Sequence, residues 1–252
     1  MKTLRDSLIV FQRTMRYTLG NPGWILLGLT QPVLYLVLFG PLLHRLTSVP
    51  GFGSGNSWAV FVPGLLIQQG VFGCLYAGFG ILAEMRSGVL DRLKVTPASD
   101  LGLLLGRLLR DVVVLLVQSV ILTVGAYVAG LRAPVVGVLV ALLVAVLLGI
   151  GISALSYGLA LRIRSEEGFG SLLSGVTLPL MLLSGVLLPM SLAPVWLADL
   201  AKANPLSHIV IAERALFAGN LTGGSTVIGT LLAAVVVVLG SAYGLRALRA
   251  DA

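Results

Sequence analysis

The residues most able to take part in chemistry lie between Glu84 and Asp100, a strongly charged segment in a chain that is otherwise almost continuously apolar. Charged side chains are poorly tolerated in hydrocarbon. The segment is therefore expected in water or at a membrane surface, between two apolar spans. Its charged residues are Glu84, Arg86, Asp91, Arg92, Lys94 and Asp100.

Motifs for nucleotide, metal or nucleophilic chemistry do not occur in the contexts that such chemistry needs. The three lysines, Lys2, Lys94 and Lys202, lack the glycine-rich setting of a phosphate-binding loop. The two histidines, His44 and His208, are far apart and have no cluster of cysteines or carboxylates nearby. We predict no cofactor, metal or catalytic residue in this chain, and a membrane enzyme acting on lipids is the least favoured function.

The composition indicates a polytopic membrane protein. Hydrophobic residues make up 57% of the chain and charged residues 11%, whereas a soluble domain carries about 25% charge. Spans of roughly 20 residues would use most of the 252 residues, so residues 1–252 are predicted to form a single transmembrane domain. The net charge of +7 reflects orientation in a lipid bilayer rather than nucleic-acid binding, because the cations flank apolar runs.

The apolar runs predict an all-α protein with six transmembrane helices. Their approximate bounds are 24–43, 58–83, 101–129, 135–161, 169–188 and 225–245, and the charged first part of the third span is expected at the interface. No aspartate, glutamate or lysine is predicted at the centre of a span, which weakens the case for an ion-coupled carrier. Small residues around Gly149 and Gly151 predict close helix packing in the fourth span.

Four glutamines fall inside the predicted spans: Gln31, Gln68, Gln69 and Gln118. Side chains of this kind commonly form hydrogen bonds between transmembrane helices, and we favour that role. A lining for a substrate path is the alternative.

Two further segments are amphipathic. Residues 1–22 are predicted to hold a helix in the cytoplasmic interface, with one apolar stripe formed by Leu4, Leu8, Phe11 and Met15. Residues 189–224 mix apolar and charged side chains and predict short amphipathic or re-entrant helices outside the cytoplasm, between spans five and six.

The distribution of lysine and arginine predicts the orientation. Thirteen of the 17 lie in the N-terminal helix, the 84–111 region, the 162–167 loop or the C-terminal end. The positive-inside rule then places both termini and the charged segment in the cytoplasm. Six spans agree with this parity.

Residues 84–100, hereafter the docking segment, contain apolar side chains among their charges. Val89 and Leu93 share a helical face and Leu90 adjoins them. A short helix with an apolar ridge and a charged flank predicts a docking surface for another protein. An ordinary solvated loop is the alternative.

The motifs in their order resemble those of the ABC-2-type export permeases, in particular the daunorubicin-resistance-like group. The docking segment matches the cytosolic signature Glu84-x-Arg86-x-Gly88-x-Leu90-x-Arg92-Leu93-x-x-Thr96-Pro97. Ser184-Gly185 followed by Pro189 resembles the end of the family's fifth span, and Pro205 followed by Arg214 resembles its outer segment, which would form part of a gate. The resemblance covers nearly the whole chain.

The resemblance implies a division of labour. Two permease subunits, identical or paralogous, would pair in a bacterial inner membrane, and two separate ATPase subunits would bind ATP and Mg²⁺ below them. The docking segment would contain the coupling helix, with contacts to the ATPase from Glu84, Arg86, Gly88, Leu90, Arg92, Leu93, Thr96 and Pro97. The exported compound would be hydrophobic or amphipathic: a drug, lipid or glycoconjugate. A self-contained secondary carrier or channel is the alternative.

Overall fold

A computed structural model describes residues 2–20, 23–46, 57–94, 99–186, 190 and 193–250. These residues form helices and turns without a β-strand, which confirms the all-α prediction. The helices are α1 (Lys2–Gly20), α2 (Gly23–Leu46), α3 (Ser57–Leu75), α4 (Gly78–Arg86), α5 (Val89–Lys94), α6 (Asp100–Val128), α7 (Val135–Ile163), α8 (Glu166–Leu182), α9 (Val195–Lys202), α10 (Pro205–Phe217) and α11 (Gly224–Ala250).

Four stretches of the described chain are long and apolar enough to cross a membrane. They are Trp58–Arg86, which combines α3 and α4, and then Asp100–Val128, Val135–Ile163 and Gly224–Ala250. The predicted fifth span begins as α8, a helix of 17 residues, and the first corresponds to α2, whose described apolar part is Gly28–Leu38. The total of six spans stays a prediction.

Helix α7 lies at the centre of the bundle and makes its most extensive contact with α11. The two backbones come close because glycine occupies the interface. A Cβ atom added to Gly151 would lie 2.5 Å from the carbonyl oxygen of Val236, and one added to Gly244 would lie 2.5 Å from that of Ala154. Gly240 faces the carbonyl oxygen of Gly151. The close packing predicted for the fourth span is thereby confirmed at Gly151.

The second predicted span is interrupted between α3 and α4, at Tyr76 and Ala77. Backbone groups released by such a break need another partner, because hydrocarbon offers none. Ser156 of α7 supplies it: its hydroxyl donates to the carbonyl of Leu75 (2.5 Å) and accepts from the N–H of Gly78 (2.9 Å). One hydroxyl thus fastens both sides of the interruption to the central helix.

We expect Ser156→Ala to destabilise the protein by about 1–3 kcal/mol, because the substitution leaves the Gly78 N–H and the Leu75 carbonyl without this partner. The measurement is the thermal unfolding midpoint in detergent. Ser119→Ala in α6 is the matched control, since the Ser119 hydroxyl is equally buried but makes no hydrogen bond within the described chain. Equal thermal unfolding midpoints for the two variants would contradict the stabilising role of the two Ser156 hydrogen bonds.

Helix α1 lies along α6 with its small and polar face inward. A Cβ atom on Gly106 would lie 2.6 Å from the backbone oxygen of Ser7, and Val10 is buried in the same contact. Asp6 accepts a hydrogen bond from the N–H of Ser99 (3.1 Å), the residue that caps α6. In the predicted apolar stripe, Leu4 and Leu8 are exposed and Phe11 and Met15 are half-buried. The exposed surface of α1 therefore carries both leucines and the cations Arg5, Arg13 and Arg16, a mixture that suits the membrane interface.

Candidate functional site

The docking segment turns at Gly88. Helix α4 ends at Arg86, and Gly88 adopts φ +67°, a conformation that glycine takes without strain. The short helix α5 follows directly. Thr96 and Pro97 of the predicted signature lie outside the described residues.

The exposed residues in the described part of this segment are Arg86, Ser87, Asp91 and Arg92. The side chain of Arg86 is 73% exposed and Arg92 is exposed on α5, while Gly88, Val89 and Leu93 are half-buried. Leu90 differs from the predicted docking ridge, because it is 1% exposed and belongs to the hydrophobic core. The surface available to a partner is therefore a charged flank of both signs beside the edges of two apolar side chains.

Glu84 faces the bundle instead of a partner. Its Oε2 lies 2.6 Å from Nη2 of Arg107, and the Arg107 side chain is 3% exposed. Arg107 also donates to the carbonyl of Leu103 in its own helix, α6 (3.3 Å). Breaking a buried ion pair by removing one partner is strongly destabilising. The pair therefore holds the start of the docking segment firmly against α6.

A second ion pair links the docking segment to the next charged turn. Nη2 of Arg86 lies 3.3 Å from Oε2 of Glu166, the first residue of α8. The preceding Ser165 caps α8 by accepting from the N–H of Gly168 (3.2 Å). The two loops predicted to share the cytoplasmic side are thus neighbours at one end of the bundle.

A buried polar group lies deeper along α6. The Tyr157 hydroxyl donates to Oδ2 of Asp111 (2.6 Å), and Nε of Arg110 lies 3.2 Å from Oδ1 of Asp111. The predicted position of this charged part of the span at the membrane interface stays a prediction. What the sequence did not predict is that Asp111 is 8% exposed and enclosed by protein. The i, i+4 spacing of Arg107 and Asp111 on one apolar helix was a signal for an inward charged face.

At the opposite end of the chain's long helices, the predicted outer-segment residues converge on the end of α8. Arg214 of α10 donates to the carbonyl oxygens of Val60 (2.9 Å), Gly185 (2.7 Å) and Val186 (3.2 Å). Asn204, which caps α10, donates to the carbonyl of Leu180 (2.9 Å). Helix α10 is thereby fastened to both α3 and the turn after α8.

The other predicted gate residues make fewer contacts than Arg214 within the described chain. Ser184 is buried and bonds to the carbonyl of Met181 in the same turn (2.6 Å). Pro205 is the exposed first residue of α10, and Pro189 lies outside the described residues. Burial lowers the pKa of Arg214 to about 10.

Glu213 precedes Arg214 in the motif that resembles the family's outer segment, but the sequence did not predict that it is buried; it is 0% exposed. Neither carboxyl oxygen has a hydrogen-bond partner within the described chain. Burial raises the pKa of Glu213 well above its ordinary value. The adjacent Arg214 does not compensate, because its guanidinium is directed to the backbone carbonyls. Burial without a partner therefore favours the neutral form of this carboxyl group.

Within the described ranges, no group of three or more histidine, cysteine or carboxylate side chains could hold a metal ion. The single cysteine, Cys74, is buried.

Comparison with known proteins identifies the family. A family model described as ABC-2 type transporter matches residues 6–218. The daunorubicin resistance ABC transporter permease protein DrrB1 of Streptomyces coeruleorubidus is 29% identical over 177 residues, covering 68% of this chain. Two proteins named "Putative transport permease ycf38", from Cyanophora paradoxa and Porphyra purpurea, are 25% and 26% identical over 85% and 86% of this chain.

The chain aligns with 61% of the length of the Streptomyces protein and with 74% and 75% of the two ycf38 proteins. The matched region of the family model includes the docking segment and the Arg214 contacts. With its long apolar helices, this is a multi-pass membrane protein. The chain belongs to the ABC-2 type transporter family.

Proposed function

We propose that this chain is the permease subunit of an ATP-driven exporter, and that separate ATPase subunits bind to its docking segment. The observation that carries the proposal is the short helix α5, on which Arg92 is exposed and Val89 and Leu93 are half-buried. It follows directly on α4, which the Glu84–Arg107 ion pair fastens to the long helix α6. A push on α5 would be transmitted to a membrane helix instead of being absorbed by a flexible loop. The named activities of the relatives support the same conclusion.

The subunit composition, the orientation and the cargo in this proposal are those that the family resemblance implies. Two permease subunits, a homodimer or a pair of paralogues, would work with two ATPase subunits in the bacterial inner membrane. Both termini and the docking segment would face the cytoplasm, where the ATPases bind ATP and Mg²⁺. The cargo would be a hydrophobic or amphipathic drug, lipid or glycoconjugate, in keeping with the drug named in the Streptomyces relative.

The first test is Leu93→Asp. A carboxylate at the half-buried edge of α5 would oppose apolar contact with a partner, because truncating or charging a central contact commonly weakens binding severely. The partner to be tested is the ATPase that is encoded nearest to this chain in the genome. We expect the amount of this ATPase that co-purifies with the permease to fall at least tenfold. ATP hydrolysis coupled to the permease should fall in parallel.

Leu200→Asp is the matched control. It introduces the same charge at an exposed leucine of α9, in the predicted extracytoplasmic segment, and should leave the complex intact. Retention of the ATPase by the Leu93→Asp protein would contradict the docking assignment. Uphill transport by the purified chain without any ATPase would instead support the secondary-carrier alternative.

A further inference from the structure

The outward surface of α1 is divided lengthwise into an apolar strip and a basic strip. Ser7 and Val10 are buried in the contact with α6. At 3.6 residues per turn, three leucines that are 51–74% exposed fall together on one flank of that contact: Leu4, Leu8 and Leu19, hereafter the leucine strip. Three exposed arginines occupy the rest of the outward surface, with Ile9 among them: Arg5, Arg13 and Arg16, hereafter the basic strip.

The charge of the basic strip is not balanced by the described part of the chain. Within those residues, none of the three guanidinium groups has a hydrogen-bond or ion-pair partner. The one carboxylate of α1, Asp6, instead faces Ser99 at the start of α6, where it accepts from the N–H (3.1 Å) and the hydroxyl (3.4 Å). By contrast, Arg86 and Arg107 each lie within 3.3 Å of a carboxylate oxygen. The basic strip is therefore available to an anion from outside the chain.

The two strips together match the surface of a bilayer. Guanidinium groups pair with phosphate oxygens, and exposed leucines beside them favour hydrocarbon. The basic strip extends from Arg5 to Arg16, about 16 Å along the helix at 1.5 Å per residue, so it faces a row of phosphates instead of one dissolved ion. An acidic protein would match the arginines but would leave the adjoining leucine strip without hydrocarbon. Anionic phospholipid is the ligand that matches both strips.

We propose that α1 is a binding site for anionic phospholipid, with the leucine strip among the acyl chains and the basic strip on the headgroups. The placement of this lipid in the cytoplasmic leaflet rests on the orientation given with the proposed function, whereas the binding itself does not. Asp6, on the same helix, holds Ser99, which belongs to the docking segment. The lipid is thus bound by the helix that fastens the end of that segment to the bundle.

Fluorescence quenching at α1 tests this site, because Cys74 is the single cysteine and is replaced first by alanine. Leu8→Cys, on the leucine strip, is labelled with bimane, and the chain is reconstituted in vesicles of phosphatidylcholine and phosphatidylglycerol. A nitroxide quencher is carried, at equal concentration, on the acyl chain of one lipid or of the other. We expect quenching by labelled phosphatidylglycerol to be stronger by roughly threefold or more, because arginines concentrate anionic lipid around them. High salt should reduce this difference, whereas inorganic phosphate at constant ionic strength should not.

Replacement of the basic strip separates charge from fold. Arg5→Gln, Arg13→Gln and Arg16→Gln together should make the two quenchers equally effective, whereas lysine at the same three positions keeps the charge and should keep the difference. Val238→Cys is the positional control, since it is 66% exposed in the uncharged middle of α11, and it should show no difference between the two lipids.

Leu4→Cys provides a second reporter on the leucine strip if the Leu8→Cys protein fails to fold. Equal quenching by the two lipids at these reporters would overturn the lipid site and leave the transport function standing, because the measurement needs no ATPase. Loss of the difference in inorganic phosphate at constant ionic strength would assign the basic strip to a dissolved anion. A glutamine variant that kept its lipid preference but lost the co-purifying ATPase would assign the strip to the ATPase, and would also overturn the proposal.

Discussion

Gly240→Leu is expected to prevent stable folding or to lower the free energy of unfolding by about 3 kcal/mol. This value lies in the upper part of the usual range for overpacked helix contacts. Gly240 of α11 faces the backbone carbonyl of Gly151 in α7, and any side chain would meet main-chain atoms that cannot rotate away. The helices would have to separate along the most extensive contact in the bundle. Thermal unfolding and size-exclusion chromatography in detergent measure the loss.

Gly125→Leu is the control for this prediction. Gly125 lies inside α6, another long apolar helix, and a Cβ atom there meets nothing within 4 Å. Replacing a helical glycine by leucine also removes its conformational penalty, so this variant should unfold at or above the parental midpoint. The close approach of α7 and α11 would be contradicted if Gly240→Leu unfolded at the same temperature as Gly125→Leu.

The second large effect is a pH dependence that originates at Glu213. Its pKa is raised by burial above the ordinary value of 4.5, so the folded protein keeps a proton that the unfolded chain releases. The contribution of Glu213 to stability is therefore fully present below about pH 4.5 and is lost as pH rises toward the folded-state pKa. The slope for one proton is about 1.4 kcal/mol per pH unit. Unfolding midpoints between pH 4 and pH 9 would record it.

Glu213→Gln should raise the midpoint at neutral pH and remove this slope, because the amide keeps the shape of the side chain without an ionisable proton. Other charged and titratable groups lie on α10 and on the adjoining α9. Lys202 and Asp199 on the adjoining α9 pair with each other at the surface (2.7 Å), and His208 on α10 is bonded to the carbonyl of Lys202 (2.9 Å).

Glu167→Gln provides the comparison, since this glutamate is exposed at the start of α8 and its replacement should alter the curve little. If Glu213→Gln unfolded with the parental pH dependence, the buried neutral carboxyl would be the wrong explanation.

The helices of this protein could be predicted from the sequence because hydrophobic runs and charged interruptions are local signals. The N-terminal helix, the short helix of the docking segment and the two helices between Val195 and Phe217 lie within the segments predicted for them. The order of the motifs also led to the family that the comparisons confirm. In each case the information is contained in neighbouring residues.

Pairings between distant residues could not be predicted. Glu84 has the same charge whether it faces a partner or Arg107, and the choice depends on how α4 packs against α6. The partners of Arg214 are backbone carbonyls at Val60 and Gly185, and every residue has a carbonyl, so no sequence pattern marks them. Glu213 looks like one half of an ion pair in the sequence, and its isolation appears only when α10 is packed.

The glycine contact between α7 and α11 also determines where the protein can change shape. Side chains can switch rotamers and let two helices slide, but main chains in direct contact have nothing to rearrange. We therefore expect helices α7 and α11 to move together as one rigid body. Relative movement is expected instead at boundaries filled by side chains, such as that between α3 and α6, where Gln69 contacts Gln118.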